Sequence, residues 1–210
     1  MLIARPPKII TRLMPRFIWE LPGDGNKVYL TFDDGPTPDV TQRVLEYLKE
    51  FKARATFFCL GRNVDHYPDI YRQILDEGHA AGNHTYSHLK GWGSSNKNYF
   101  DDIRLARYHI DSNLFRPPYG RIKSSQATEI LKTYSIIMWS VLSIDYNRHV
   151  SGERCAKNVT ENARPGSIIV FHDSAKARKN VYYALPKVLE YFSEKGYEMA
   201  VIPDVPVISQ

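Results

Sequence analysis

Asp33 and Asp34 stand side by side where the apolar run VYLTF breaks into Gly35 and Pro36. Adjacent ionised carboxylates repel and add nothing to a strand, so a pair at this point raises the prospect of separate countercharges for each. Further along, NHTYSH places His84 and His88 at i,i+4. On a helical turn such a pair projects from one side and can share a metal; the same spacing also serves two histidines packed at a turn. A carboxylate from Asp33 or Asp34 would complete a two-His, one-carboxylate set with positions left open for water and substrate. Spacing alone does not bring them together. RPPYGR sets Arg116 and Arg121 around a rigid Pro117–Pro118 pair that fixes whatever Tyr119 presents, or else forms a surface turn with solvated arginines. His172 follows the apolar run IIVF, as a site residue or as a hydrogen-bonded core histidine.

The elements that must position these residues alternate along the chain. KVYLTFDD reads as a strand with Val28, Leu30 and Phe32 on one face, and ATFFCLG, SIIMWSVLSID and SIIVFHD read as further strands. Short strands at HAAGNH, LFRPPYG and YEMAVI bring the number to about seven. Between them, helical spacing predicts helices over 37–51, 67–78, 97–113, 124–134, 152–164 and 180–196. Thr37 or Asp39 is placed to cap the first. This alternation with short connections argues for an α/β domain with a parallel sheet, barrel and open sheet remaining equally open. In both, sites form at the carboxyl ends of strands. Asp33, Asp34, His84, His88, Arg116, Tyr119, Asp145, His172 and Asp173 all fall there.

In their order along the chain, TFDDG (31–35), HTYSH (84–88), RPPYG (116–120), LSIDY (142–146) and VFH (170–172) resemble the five motifs of the polysaccharide deacetylases, carbohydrate esterases of family four with a NodB-homology domain. The resemblance covers about residues 27–202. It implies a distorted, incomplete (β/α) barrel and removal of N-acetyl groups from an N-acetylglucosamine-containing oligo- or polysaccharide. It implies that Asp34, His84 and His88 hold a divalent metal, most often zinc, with cobalt, nickel and manganese as alternatives. Such an ion polarises the acetyl carbonyl and acidifies a water. By the same resemblance Asp33 is the base, Arg116 its partner, His172 the acid that protonates the leaving amine, and Asp145 the residue that keeps His172 cationic. The N–H of Tyr119 faces the oxyanion, and Tyr146, Val170 and Pro118 contact substrate. The fourth motif departs from the usual pattern: Leu142 stands where an acid is common and Tyr146 where Trp is. Chemistry is expected to survive and substrate fit to differ. O-acetyl esters or small amides are an alternative substrate class, and a non-catalytic carbohydrate-binding domain is a third reading.

Composition bounds the rest. A hydrophobic content of 43% supports a core, and no run of 18 apolar residues offers a membrane span. Cys59 and Cys155 read as free buried thiols and point to a reducing compartment. The formal charge is +5, of which Arg5, Lys8, Arg12 and Arg16 supply +4 within residues 1–19. That is not the broad basic face of a nucleic-acid binder. Opposite these cations, Ile9, Ile10, Leu13, Met14, Phe17 and Ile18 recur at helical spacing. Residues 1–26 are therefore expected as a basic amphipathic segment, packed on the domain or resting through residues 8–18 on an anionic membrane. Residues 27–210 are expected as the catalytic domain. With no secretory signal pattern seen, the chain is expected in the cytoplasm or at the inner membrane face; it is also expected to be a monomer.

Overall fold

The computed structural model describes residues 4–204, so the outermost parts of the two expected segments, 1–3 and 205–210, lie outside the described residues. The elements run α1 (Lys8–Leu13), β1 (Lys27–Asp33), α2 (Val40–Glu50), β2 (Ala55–Cys59), α3 (Gly61–His66), α4 (Pro68–Asp76), β3 (Ala80–Asn83), α5 (Asn96–Arg107), β4 (Leu114–Phe115), α6 (Ser124–Ile130), β5 (Ser135–Ile136), β6 (Val141–Leu142), α7 (Gly152–Thr160), β7 (Ile168–His172), α8 (Arg178–Glu194) and β8 (Glu198–Met199). Strand order is β5-β4-β3-β2-β1-β7-β6, every pair parallel, with β8 added alongside the start of β1. Seven parallel strands thus curl into a half-barrel wrapped by helices, the incomplete (β/α) barrel expected.

β1 is buried on both faces, as its near-continuous apolar run requires. Its side chains alternate with a period of two. Val28, Leu30 and Phe32 join the layer beneath α2, α7 and α8, where Phe32 stacks between Phe57 and Phe171 of the neighbouring strands. Tyr29 turns to the opposite side, into a cluster with Phe58, Leu114, Ile137 and Ile168. Thr31 and Asp33 follow on that inner side and meet a charged side chain there instead of an apolar one.

The run 135–145 is two short strands rather than the single strand its apolar character predicts. The reason is closure. β5 lies at one edge of the sheet and β6 at the other. Ile137 N–H still bonds Phe115 O of β4, whereas Ser140 N–H bonds Ile168 O of β7. One stretch therefore carries the chain across the seam. The N-terminal segment lies along it: Ile18 pairs with Ile137, Glu20 bridges Ser167, and Ala4 O accepts from Leu142 N–H at 2.7 Å. Phe17 is buried against α5 and α6. Residues 17–21 are thus integral to the barrel, while α1 stops before Pro15 and buries none of its side chains.

Other departures are local. α5 ends at Arg107, six residues short of the predicted end, and α3 is a turn of helix for which 61–66 carries no strong periodicity. Cys59 and Cys155 are buried free thiols.

Candidate active site

Parallel register alone sets the first pair. Asp33 lies opposite His172 across β1 and β7, so a carboxylate and an imidazole leave the sheet at one level. Asp33 is buried and takes Arg116 Nη1 at 2.7 Å. Arg116 is itself fully buried, which excludes the solvated-turn reading. Its Nη1 also donates to Thr31 Oγ1 (2.7 Å), Nε to Ile137 O (3.2 Å) and Nη2 to Met138 O (2.9 Å), and the guanidinium lies 4.0 Å over the Phe58 ring. Burial pushes the Asp33 carboxyl up, but Arg116, together with His84 and His172, holds it below the usual range. Asp33 is therefore an ionised, oriented carboxylate at neutral pH.

Asp34 turns away because its backbone adopts φ +80°. Its Oδ1 lies 3.3 Å from His88 Nε2 and 3.8 Å from His84 Nε2, and the three ligating atoms fall within 4.8 Å of one another. Ligands about 2.0–2.1 Å from a tetrahedral ion stand about 3.4 Å apart, so this spacing fits a metal. The donor chemistry fits too. His84 Nδ1 lies 2.7 Å from Arg116 O; a carbonyl only accepts, so Nδ1 carries a proton and Nε2 is the ring nitrogen turned toward Asp34. Burial and the neighbouring His84 lower the His88 pKa to about 4, leaving its imidazole neutral. The two histidines do not share a helical turn. They converge through a loop in which Thr85 (φ +66°) and His88 (φ +64°) both take left-handed backbone.

His172 Nδ1 lies 2.8 Å from Asp145 Oδ1, and the other Asp145 oxygen accepts the His172 backbone N–H at 2.8 Å. Asp145 is fully buried. Asn180 clamps the loop behind it by donating to the carbonyls of Asp145, Asn147 and Val150. Burial alone would lower the His172 pKa, but Asp145, aided by Asp34 and Asp33, raises it to about 9. Tyr146 packs edge-on against the imidazole, with ring centroids 5.0 Å apart.

These groups surround a pocket of about 530 Å³. Asp33, Asp34, His84, His88, His172 and Tyr119 all line it, as do Tyr146 and Val170. Arg116 and Asp145 stand behind it, bonded to Asp33 and His172. Pro118 does not line it. It is buried beneath the turn, and Pro117 is the proline that reaches the pocket. Trp139, Leu142, Arg121 and Lys176 complete the wall. Trp139 lay hidden inside an apolar run that reads as plain strand.

Asp173 follows His172 at the end of β7. Its Oδ1 accepts Gly35 N–H (3.0 Å) and its Oδ2 accepts Thr41 Oγ1 (2.6 Å). A Cβ on Gly35 would stand 1.9 Å from Asp173 Oδ2, so only glycine fits. This contact anchors the turn that carries Asp33 and Asp34 to the end of β7. Burial, with the charge of Asp34, raises the Asp173 pKa to about 7 against the opposing pull of Thr41.

A family model described as polysaccharide deacetylase matches residues 21–136. The chain is 33% identical over 198 residues to a peptidoglycan-N-acetylglucosamine deacetylase of Bacillus cereus, covering 89% of this chain and 91% of that protein. It is 32% identical to a chitooligosaccharide deacetylase of Azorhizobium caulinodans, covering 85% and 93%. A crystal structure of a peptidoglycan N-acetylglucosamine deacetylase superposes with a TM-score of 0.83 at 30% identity, covering 94% of this chain and 95% of the other.

The raised His172 pKa has a measurable sign. Because the folded value of about 9 exceeds the ordinary 6.5, the ion pair with Asp145 stabilises the fold fully below pH 6.5 and is lost as pH rises through 9. In metal-free protein, NMR titration of the His172 ring is expected to show a midpoint near 9 that falls toward 6.5 in Asp145→Asn. An unchanged midpoint would remove Asp145 as the cause.

Proposed function

The chain belongs to the polysaccharide deacetylase family, and we propose that its pocket hydrolyses the N-acetyl group of N-acetylglucosamine residues in an oligo- or polysaccharide, with a divalent metal held by Asp34, His84 and His88. The observation that carries this reading is a pair of groups in register on β1 and β7: Asp33, ionised, and His172, protonated, flanking a cluster of three ligands. Two nitrogens and one carboxylate oxygen suit zinc in four-coordinate geometry. When bound, the ion supplies Lewis-acid polarisation of the acetyl carbonyl and of a water.

The chain's own residues then carry the protons. Asp33 accepts a proton from the attacking water as its oxygen bonds to the acetyl carbon. Arg116 fixes the carboxylate and keeps it charged until that moment. The oxygen of the tetrahedral intermediate is met by the backbone N–H of Tyr119, on a turn that the two prolines make rigid. His172 donates its proton to the amide nitrogen, the C–N bond breaks, and acetate and the free amine leave. Without that proton the leaving group would be an amide anion, so an imidazolium at neutral pH is the form the reaction needs. Tyr146 and Val170 wall the slot for the acetyl methyl.

Acetate release from a panel of N- and O-acetylated sugars by metal-loaded protein tests the reaction. Asp33→Asn is expected to retain metal and lose turnover by about 10²–10⁴-fold, while His84→Ala loses metal, read by calorimetry. Metal binding abolished by Asp33→Asn and spared by Asp34→Asn would reverse the two roles.

Among the described residues, no helix is long and apolar enough to cross a membrane. The proposal extends to a peripheral membrane site at residues 8–18. Ile9 and Leu13 are 67% and 75% exposed on α1, beside Lys8, Arg12 and Arg16, and each basic residue near an anionic surface contributes about 1 kcal/mol. Such a site would hold the enzyme at the inner membrane face. The full chain is expected to co-sediment with phosphatidylglycerol vesicles but not with phosphatidylcholine vesicles, and Ile9→Glu with Leu13→Glu to abolish this. Undiminished sedimentation of that variant would sink the membrane site.

A further inference from the structure

β6 ends at Leu142 and α7 starts at Gly152, and the segment between them carries Asp145 and Tyr146 without a strand or helix to support it. Within this segment Ile144 is buried and adopts φ +67°. A β-branched residue in left-handed backbone is strained, and such a conformation persists only where its surroundings fix it. Two buried asparagines on different helices do so. Asn158 of α7 donates Nδ2 to Ser143 O at 2.9 Å, on one side of Ile144. Asn180 of α8 donates Nδ2 to Asp145 O (2.9 Å) on the other side, and to Asn147 O (3.2 Å) and Val150 O (3.0 Å) beyond it. All four partners are carbonyls, which only accept, so each amide must present its nitrogen. The Asp145 N–H is tied in turn to Ser143 Oγ at 3.2 Å.

We infer that Asn158 and Asn180 are positioning residues for the proton donor: by pinning the strained turn at Ile144 from two helices, they hold Asp145 against His172. The inference rests on the deacetylase reading and deepens it, carrying the support of the proposed acid outward to α7 and α8. Neither asparagine lines the pocket, so each acts only through the turn. Asp145 grips His172 twice, one oxygen at Nδ1 and the other at the backbone N–H, 2.8 Å each. A turn that drifts therefore carries the imidazole away from the leaving nitrogen. The proposed metal ligands stand on other segments, after β1 and in the loop after β3, so releasing the turn should spare them. Donors held by a tight supporting shell lose rate steeply when they shift by about 1 Å.

The test exploits the leaving group. An amide nitrogen must be protonated as it departs, whereas 4-nitrophenolate is a weak enough base to leave as the anion. An N-acetylglucosamine tetramer and 4-nitrophenyl acetate present the same acetyl group and need the same attacking water, so effects on the acetyl slot cancel in their ratio. Asn180→Asp keeps the side chain's size but faces three carbonyls with acceptors alone. In this variant, loaded with zinc, kcat on the tetramer should fall about 10- to 100-fold, while the aryl ester rate and the zinc Kd stay at the parent's values. Asn158→Ala removes one bond instead of three; it should show the same split at smaller size, and it carries the test if Asn180→Asp does not fold. Equal losses on the two substrates, or parent rates on both, overturn the inference. A second readout is the Nδ1–H proton of His172, shifted downfield in the NMR spectrum by its bond to Asp145 and identified by its absence from His172→Gln. It should persist in the parent and broaden or vanish in the variants; an unchanged signal overturns the positioning. If the parent cleaves the aryl ester but no N-acetylated sugar, the deacetylase reading falls by itself, and this proton alone decides whether the asparagines hold the turn.

Discussion

The buried pairing of Arg116 with Asp33 is the contact on which both the barrel and its site depend. A charge with no access to water is costly unless it is paired and fully hydrogen-bonded. Arg116 meets that condition with Asp33, Thr31, the carbonyls of Ile137 and Met138, and the face of Phe58. Those carbonyls belong to the stretch that crosses the barrel seam, so they have no regular ladder to join. One side chain thus satisfies the break in the sheet and orients the proposed base. Its own carbonyl fixes the tautomer of His84, which links the fold to the ligand cluster as well.

From that centre, environment drives the two proposed proton-transfer groups apart. Asp33 and His172 are neighbours in register, yet one carboxylate is held ionised by a guanidinium and one imidazole is held protonated by a different carboxylate. Pairs of titratable groups with opposed perturbations mark acid and base roles. The cross-pairing prevents a direct Asp33–His172 salt bridge from becoming the resting arrangement, because each already has a closer partner. Asp173 and Gly35 lock the turn between them, so the adjacent aspartates hold separate partners at fixed positions.

Much of this was legible in the residues. β1, β2 and β7 are apolar runs too short for helices and bounded by glycine or by charged residues, and the polar residues that end them cluster where parallel sheets place sites. Other features depend on tertiary closure. An arginine between Phe115 and Pro117 reads locally as a turn, and only the barrel interior makes it a buried anchor. Residues 135–145 read as one strand because every position before Asp145 is apolar or small; their division follows from pairing with opposite sheet edges. His84 and His88 were visible as a pair, but their convergence rests on left-handed backbone at Thr85 and His88 that spacing does not encode. Pro117 and Pro118 are chemically alike, and only the turn geometry decides which one faces the pocket.

The central claim is that Arg116 and Asp33 are energetically one unit. A double-mutant cycle of urea unfolding with Asp33→Asn, Arg116→Met and both together measures it most directly. The account predicts that Arg116→Met costs about 3–5 kcal/mol when Asp33 is present, because an unpaired charge is left buried. With Asn at position 33 the same change should cost less, giving a coupling of about 2–3 kcal/mol. Equal losses in the two backgrounds, with no coupling, would contradict it.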